Sequence, residues 1–387
     1  MKSGWIKTKL KDVCELVNGK AYKKDELLAK GKYRVLRVGN FFTNEHWYFS
    51  DLELEDKKYC DKGDLLYAWS ASFGPRVWSG EKVIFHYHIW KVSPNSNLID
   101  QKFLFYFLMW DVDKIKEDQG AGTTMLHVSK GSMDERDISI PSIHEQQRIV
   151  AMLDQAFEGI AKARANAEQN LQNTRALFES HLQSVFTQRG EGWVDKTLDQ
   201  VCIVERGSSP RPIKDFFTTD ADGVNWIKIG DTEEGGKYVY TTAQKITIEG
   251  AKQSRFVKEG DFILTNSMSY GRPYIMKISG YIHDGWFVLR LNEALDSDYF
   301  YYLLSSSFVQ SQFTRLASGS VVKNISGDLV KMVNLPIPPI EHQHLIVKKL
   351  LGISSETQRL EALYQRKIEL LNELKKSLLQ QAFAGEL

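Results

Sequence analysis

Residues 138–150 read ISIPSIHEQQRIV, and residues 335–347 read LPIPPIEHQHLIV. The two segments mark the same boundary twice: an apolar run with proline ends, and a long stretch without proline begins. They lie 197 residues apart, so the chain is best examined first for an internal repeat.

Matching positions recur in the same order along the whole chain. The offset between matching positions is 188 residues near the start of the chain and increases to 196 or 197 residues in its later part. It changes only where loops are expected. The clearest pairs are Gly4-Trp5 with Gly192-Trp193, Gly19 with Gly207, Gly63-Asp64 with Gly260-Asp261, Trp90 with Trp286, and Gln146 with Gln343. The order predicts two copies of one structural unit.

Each copy has two parts. Residues 1–143 and 188–340 mix short apolar runs with glycine and Asn/Asp turns, and they predict α/β (α+β) domains with helices near 100–110 and 296–308. Residues 144–187 and 341–387 lack proline and hold apolar residues at spacings of three and four, which predicts two long helices. A helix of this length is ~60 Å long, so its apolar stripe cannot be buried against one globular domain alone. We therefore expect a multidomain chain in which the two helices pair antiparallel as a coiled coil, with a pseudo-two-fold and circular organisation.

Composition limits the protein class. Fifty basic and 49 acidic residues give a net charge of +1, so any nucleic-acid surface must be a local patch. Three cysteines without a CxxC pair argue against a disulfide framework and a zinc site. The N-terminus lacks the apolar core of a signal peptide, and residues 103–110 are too few to cross a bilayer. We expect a soluble cytoplasmic protein that has no membrane partner.

The chain resembles the specificity (S) subunit of type I restriction–modification enzymes, the HsdS family. The resemblance rests on the two Gly-Trp starts, on the 140–150 and 337–347 segments, and on residues 374–387, LKKSLLQQAFAGEL. It implies two target recognition domains that each read one half of a split site in double-stranded DNA. It further implies that the helices fix the spacer and dock two methyltransferase (M) subunits, which restriction (R) subunits join.

The same resemblance implies that this chain has no catalysis and no cofactor of its own. S-adenosylmethionine, ATP and Mg²⁺ would belong to the partner subunits of the endonuclease and adenine methyltransferase complex. The sequence agrees, because it lacks an Asn/Asp-Pro-Pro-Tyr/Phe box, a GxxxxGK[ST] loop and an HExxH pair. We name no catalytic and no metal-binding residue.

Candidate DNA contacts are polar, basic or aromatic residues in turns that recur in both copies. Such side chains can read base edges, while basic ones can also set the register on phosphates. His86 and His88, which flank Tyr87 in an apolar run, are interpreted as core or edge residues instead. The candidates are Lys20, Tyr22, Lys23, Lys24, Arg37, Asn40, Trp69, Ser70, Ser72, Phe73, Arg76, Thr123, Thr124 and His127 in the first copy, and Arg206, Ser208, Ser209, Arg211, Lys228, Asn266, Ser267, Ser269, Tyr270, Arg272, Ser320, Lys323 and Asn324 in the second.

Three other interpretations stay open. The chain could be the specificity module of another DNA-methylation or phage-defence system, or a recognition fragment of a fused methyltransferase. It could also be a coiled-coil scaffold that binds only proteins, which salt-dependent DNA binding would contradict.

Overall fold

A computed structural model describes residues 4–42, 45–70, 74–118, 127–233, 235–266, 271–292, 295–317 and 325–387. The chain divides into two compact units, which are residues 1–168 with 366–387 and residues 169–365. Both divisions fall inside the long helices, so each helix gives residues to both units. The division into two recognition domains and two separate spacer helices stays a prediction.

The first unit contains two four-stranded sheets and one two-stranded sheet among its described residues. The strand orders are β2-β9-β6-β7, β4-β3-β8-β5 and β1-β10, and only the β3–β8 pair is parallel. In chain order the elements are β1 (Ile6–Lys9), α1 (Leu10–Val13), β2 (Cys14–Asn18), β3 (Tyr33–Leu36), α2 (Val38–Phe42), β4 (Tyr48–Ser50), β5 (Tyr59–Cys60), β6 (Leu65–Ala68), β7 (Gly74–Val77), β8 (Val83–Phe85), β9 (Ile89–Pro94), α3 (Gln101–Asp118), α4 (Lys130–Asp134), β10 (Asp137–Ile140) and α5 (Ile143–Thr187).

The second unit repeats this plan with one additional edge strand in each large sheet. Its orders are β12-β21-β18-β19-β15, β13-β16-β14-β20-β17 and β11-β22. The elements are β11 (Val194–Thr197), α6 (Leu198–Val201), β12 (Cys202–Arg206), β13 (Phe217–Thr218), β14 (Val224–Ile227), β15 (Tyr238–Val239), β16 (Gln244–Ile246), α7 (Ile248–Ala251), β17 (Arg255–Val257), β18 (Phe262–Thr265), β19 (Pro273–Met276), β20 (Gly280–Ile282), β21 (Trp286–Leu291), α8 (Ser297–Ser305), α9 (Ser307–Ala317), α10 (Gly327–Lys331), β22 (Asn334–Ile337) and α11 (Ile340–Ala384).

The central strand of each unit is buried on both faces. In β6, Leu65 and Tyr67 pack against the core that contains α3, while Leu66 and Ala68 belong to the core between the two sheets. Side chains alternate between the faces of a strand, so a continuous apolar run is what two cores require. In β18, Phe262 and Leu264 likewise face one core and Ile263 the other.

Strand register corrects one predicted equivalence. Trp90 lies opposite Tyr67, whereas Trp286 lies opposite Thr265, one residue further along the repeat. Trp90 therefore corresponds to Phe287, and Trp286 fills the core between the sheets. Sequence matching had joined two tryptophans that lie on opposite sheet faces.

The two long helices are confirmed, and each spans 45 residues. In the first unit, Arg148 Nη2 donates to the carbonyl of Leu387 over 2.8 Å, and Arg164 Nη1 donates to Asn372 Oδ1 over 3.2 Å. In the second unit, Arg175 forms an ion pair with Glu361. The residue order of the two pairs in the first unit makes its helix segments antiparallel.

A buried glutamine attaches each long helix to its unit. Gln146 Oε1 accepts from the Asp100 N–H over 2.8 Å, and its Nε2 donates to the carbonyls of Leu98 and Pro141, both at 2.9 Å. Gln343 accepts from the Asp296 N–H and donates to the carbonyl of Pro338, both over 2.9 Å. This shared contact explains why the repeat keeps glutamine at both positions.

The predicted helix of the second unit is split. The first unit has one helix, α3, whereas Ser306 interrupts the equivalent stretch between α8 and α9 with an extended backbone. Ser306 is fully buried, and its hydroxyl donates to the Leu303 carbonyl over 2.6 Å. Serine competes for backbone hydrogen bonds in this way, which favours a helix end.

The cysteines pack as small apolar side chains. Cys14, Cys60 and Cys202 are all buried and free, and burial raises the pKa of each thiol to about 12. Among the described residues, no helix is both long enough and apolar enough to cross a membrane.

Candidate nucleic-acid interface

A tight turn joins two strands at the same place in each unit. We call residues 86–89 and 283–286 the histidine turns; they connect β8 to β9 and β20 to β21. The N–H of the fourth residue donates to the histidine carbonyl, over 2.9 Å for Ile89 and 3.2 Å for Trp286. The histidine Nδ1 accepts from the N–H two residues later, over 3.5 Å in the first unit and 2.8 Å in the second.

A glycine brings a neighbouring segment against each histidine turn. Gly19 donates its N–H to the Ile89 carbonyl, and Gly207 donates to the Trp286 carbonyl. A Cβ at Gly19 would overlap the carbonyl oxygens of Phe85 and His86, and one at Gly207 would overlap that of His283. The two segments approach more closely than any residue with a side chain permits. Glycine therefore recurs at positions 19 and 207 for a steric reason.

Trp69 and Asn266, both predicted as DNA contacts, hold the turns from inside. Trp69 Nε1 donates to the Tyr87 carbonyl over 2.7 Å, and Asn266 Nδ2 donates to the equivalent Asp284 carbonyl over 2.6 Å. Asn266 is 2% exposed, and Ser70, which follows Trp69 in the first unit, is 6% exposed. The side-chain N–H groups of Trp69 and Asn266 are therefore used to position the turns and are not presented to a base.

An aromatic row surrounds the first histidine turn. Tyr22 stacks on His86 with ring centroids 6.2 Å apart, and Trp69 contacts His88 at 4.9 Å and His127 at 6.1 Å. Three predicted segments, around residues 20, 69 and 127, therefore meet here. Lys20 also belongs to the site, because its N–H donates to the Phe85 carbonyl and its carbonyl accepts from the Tyr87 N–H, both over 3.0 Å. Its ammonium group forms an ion pair with Glu26 at 3.1 Å.

A cleft of about 220 Å³ opens beside the same turn. It is lined by Arg37, Val38, Gly39, Asn40, His46, His86 and His88. Arg37 lies over the Tyr48 ring at 5.1 Å, and Asn40 Oδ1 accepts from the Arg37 N–H over 3.4 Å. Burial, followed by His88 and Arg37, lowers the pKa of His86 to about 4, and burial also lowers the pKa of His88. Both imidazoles are neutral near pH 7, so each offers one donor and one acceptor.

Asp284 organises the corresponding surface in the second unit. Its carboxylate accepts from Ser209 Oγ over 2.8 Å and from Arg211 Nη2 over 3.3 Å, while its carbonyl accepts from Arg206 Nε over 3.2 Å. Ser208 joins through its N–H, which donates to the Ile282 carbonyl. Lys228 follows β14 as Arg37 follows β3, and its N–H donates to Asp231 Oδ2 over 2.7 Å.

Arg76 and Arg272 are not an equivalent pair. Arg76 lies opposite Leu66 in β7 and over the rings of Phe41 and Phe42. Arg272 precedes β19 and lines a groove of about 880 Å³ with residues of the second unit's helix segments. The two guanidinium groups therefore lie in different surroundings.

The remaining predicted residues fall into two groups. Lys23 and Lys24 are exposed on the segment after β2. The others, which lie outside the described residues, are Ser72, Phe73, Thr123, Thr124, Ser267, Ser269, Tyr270, Ser320, Lys323 and Asn324.

Sequence reasoning missed the tips of the histidine turns. Of the two interpretations of His86 and His88, as core or edge residues, the structure supports an edge position, since both are half-buried at the cleft; His283 and Asp284 are not among the predicted contacts. A signal was available, since His86 and His283 share the 197-residue offset of Gly63 and Gly260. Within the described ranges, no group of three or more His, Cys, Asp or Glu side chains could hold a metal ion.

Comparison with known proteins identifies a family. A model of the type I restriction modification DNA specificity domain matches residues 2–169 and 190–375. The EcoBI specificity subunit of Escherichia coli is 20% identical over 99% of this chain and 86% of its own length. The MjaVIII specificity subunit of Methanocaldococcus jannaschii is 24% identical over 76% of this chain and 73% of its own length.

Solved structures share the fold. A chain from a study of complex assembly and conformational transition in a type I R-M system aligns with a TM-score of 0.82, at 18% identity and covering 100% of this chain and 99% of its own. The HsdS subunit from Thermoanaerobacter tengcongensis aligns with a TM-score of 0.61, at 19% identity and covering 100% and 98%. The predicted fold class is thereby confirmed.

Proposed function

This chain belongs to the type I restriction modification DNA specificity family, and we propose that each of its units reads one half of a bipartite DNA target. The chain is a DNA-sequence specificity subunit and a non-catalytic component of its complex. One observation carries the proposal: the units share a backbone framework around the histidine turn but differ in the side chains presented there.

The shared framework is built from equivalent hydrogen bonds. The N–H groups of Trp69 and Asn266 donate to residues 88 and 285, and the N–H groups of Val128 and Ile325 donate to the carbonyls of Trp69 and Asn266. Two recognition elements with the same backbone can lie on duplex DNA in the same way.

The side chains on that framework differ in chemistry. Tyr87 and His88 of the first unit correspond to Asp284 and Gly285 of the second, and Tyr22 corresponds to Pro210. A ring-rich surface favours apolar contact with bases, whereas serine, arginine and carboxylate groups favour donor and acceptor contacts. We therefore expect two different half-sites.

Docking of M subunits is the second part of the proposal. The long helices expose large apolar side chains, which a partner would cover: Leu345, Leu351 and Leu363 in the second unit, and Leu370 and Leu374 in the first, each 44% to 65% exposed. The R subunits, S-adenosylmethionine, ATP and Mg²⁺ would enter through such partners, and the helices would set the spacer between half-sites.

Single-molecule sequencing of genomic methylation tests the proposal in a host with and without this gene. We expect loss of one split motif that has two unequal half-sites. An unchanged methylome in a strain that expresses active M subunits would contradict the function. Absence of salt-dependent DNA binding by the complex would favour a scaffold that binds only proteins.

A further inference from the structure

Each histidine turn combines features that both units keep and features that they do not. His86 and His283 are kept, and in both turns Nδ1 accepts from a backbone N–H. Each ring therefore presents Nε2 as its donor in the neutral state. The tip that follows is Tyr87-His88 in one unit and Asp284-Gly285 in the other.

A cation stands beside the histidine in both units. Leu36 pairs with Phe85 and Ile227 pairs with Ile282 in parallel register, so Arg37 and Lys228 emerge next to His86 and His283. Among the described residues, neither Arg37 nor Lys228 forms an ion pair with a carboxylate; Arg37 lies over the Tyr48 ring, and only the backbone N–H of Lys228 bonds to Asp231. The repeat thus keeps a positive charge at this place and leaves it available to an anion.

The two tips differ in sequence but keep an equivalent backbone hydrogen bond. The carbonyl of residue 87 or 284 accepts a side-chain hydrogen bond in each unit, although the donor is an indole in one and an amide in the other. These hydrogen bonds therefore do not depend on which side chains the tip carries. The His283 ring lies against Gly285, where a Cβ would overlap it, so this position of the second tip requires glycine.

We propose that Arg37 with His86, and Lys228 with His283, bind the DNA phosphates, and that the tips Tyr87-His88 and Asp284-Gly285 determine the base sequence of each half-site. The inference rests on the proposed function and divides its site into two roles. Phosphates are the same in every half-site, so residues that bind them need not change between units.

The pairing of arginine with lysine favours phosphate over a base as the shared ligand. A lysine ammonium is a point charge that binds a phosphate oxygen well, while bidentate reading of guanine is the particular strength of arginine. A position that accepts either cation in the same backbone is thus better suited to the DNA backbone.

The test uses the full chain in complex with its M subunits and duplexes that carry the methylated motif. For Arg37→Ala and for Lys228→Ala we expect an equal loss of affinity on target and non-target duplexes, about 5- to 20-fold at low salt. The slope of log K against log salt should become shallower by about 0.9 for each phosphate that the variant no longer neutralises. Arg37→Lys should keep most of the affinity. Lys62→Ala is the matched charge control, because Lys62 is exposed and precedes β6, whereas the histidine turn meets Trp69 after the end of that strand.

The tips are tested by methylome mapping of the variants. Tyr87→Asp with His88→Gly should alter or relax only the half-site of the first unit, and Asp284→Asn only the half-site of the second. Thermal unfolding of each variant separates altered recognition from misfolding, and His88→Gln provides a milder second substitution.

Two results would overturn the division of roles. One is a loss of affinity in Arg37→Ala that is confined to one base pair and not restored by Arg37→Lys. The other is an unchanged motif in folded tip variants. A wild-type complex that fails to bind DNA would instead contradict the proposed function itself.

Discussion

Replacement of Gln146 by alanine should loosen the attachment of α5 to the first unit. The side chain is fully buried and makes three hydrogen bonds, to the N–H of Asp100 and the carbonyls of Leu98 and Pro141. Each intramolecular hydrogen bond contributes about 1 kcal/mol net, so the loss is about 3 kcal/mol. Gln343, with bonds to the N–H of Asp296 and the carbonyl of Pro338, should lose about 2 kcal/mol in the same substitution.

Hydrogen exchange of the backbone amide of Asp100 measures the effect directly. Its acceptor is Gln146 Oε1, so Gln146→Ala should accelerate exchange about a hundredfold, the factor that corresponds to ~3 kcal/mol. Gln147, the next residue of the helix, is exposed, and Gln147→Ala is the matched control. If the two variants exchange alike at Asp100, the glutamine does not hold the helix and the reasoning is wrong.

Three further predictions concern the turns and one buried charge. Gly207→Ala should lower the stability of the second unit by about 1–3 kcal/mol in thermal unfolding because its Cβ would overlap the His283 carbonyl, whereas Gly230→Ala, with open space around it, should not. His86 should stay neutral to about pH 4 in an NMR titration; since folding lowers its pKa, stability should fall as the pH drops below about 6.5, and less so in His86→Gln. Arg136→Ala should cost about 3–5 kcal/mol at pH 8, because it leaves the buried Asp111 carboxylate without its partner. Burial already raises the pKa of Asp111, so the cost should shrink on acidification; an equal cost at pH 5 and pH 8 in denaturant titrations would contradict this.

The repeat made much of the fold predictable. Residues that recur for steric or hydrogen-bonding reasons, such as Gly19 with Gly207 and Gln146 with Gln343, keep their identity because few side chains can replace them. The long helices were predicted to begin within about one residue of their observed starts because composition and spacing agree along their whole length.

The candidate site was less predictable because equivalent roles are filled by different residues. Trp69 and Asn266 share the 197-residue offset and an equivalent hydrogen bond, but no chemistry apart from an N–H donor. Arg76 and Arg272 share chemistry but not register. Identical residue types paired Trp90 with Trp286, whereas strand register pairs Trp90 with Phe287.

The first unit has an unusual relation to the order of synthesis. Phe383 contacts the rings of Phe103 and Phe107, and Trp110 donates to Gln380, which lies 270 residues later in the chain. During synthesis, the first unit cannot complete its apolar core until residues 366–387 have been made. The second unit is the continuous segment 169–365, so it can fold earlier. We expect chaperones to hold the early half of the nascent chain, and fragments that end before residue 379 to aggregate.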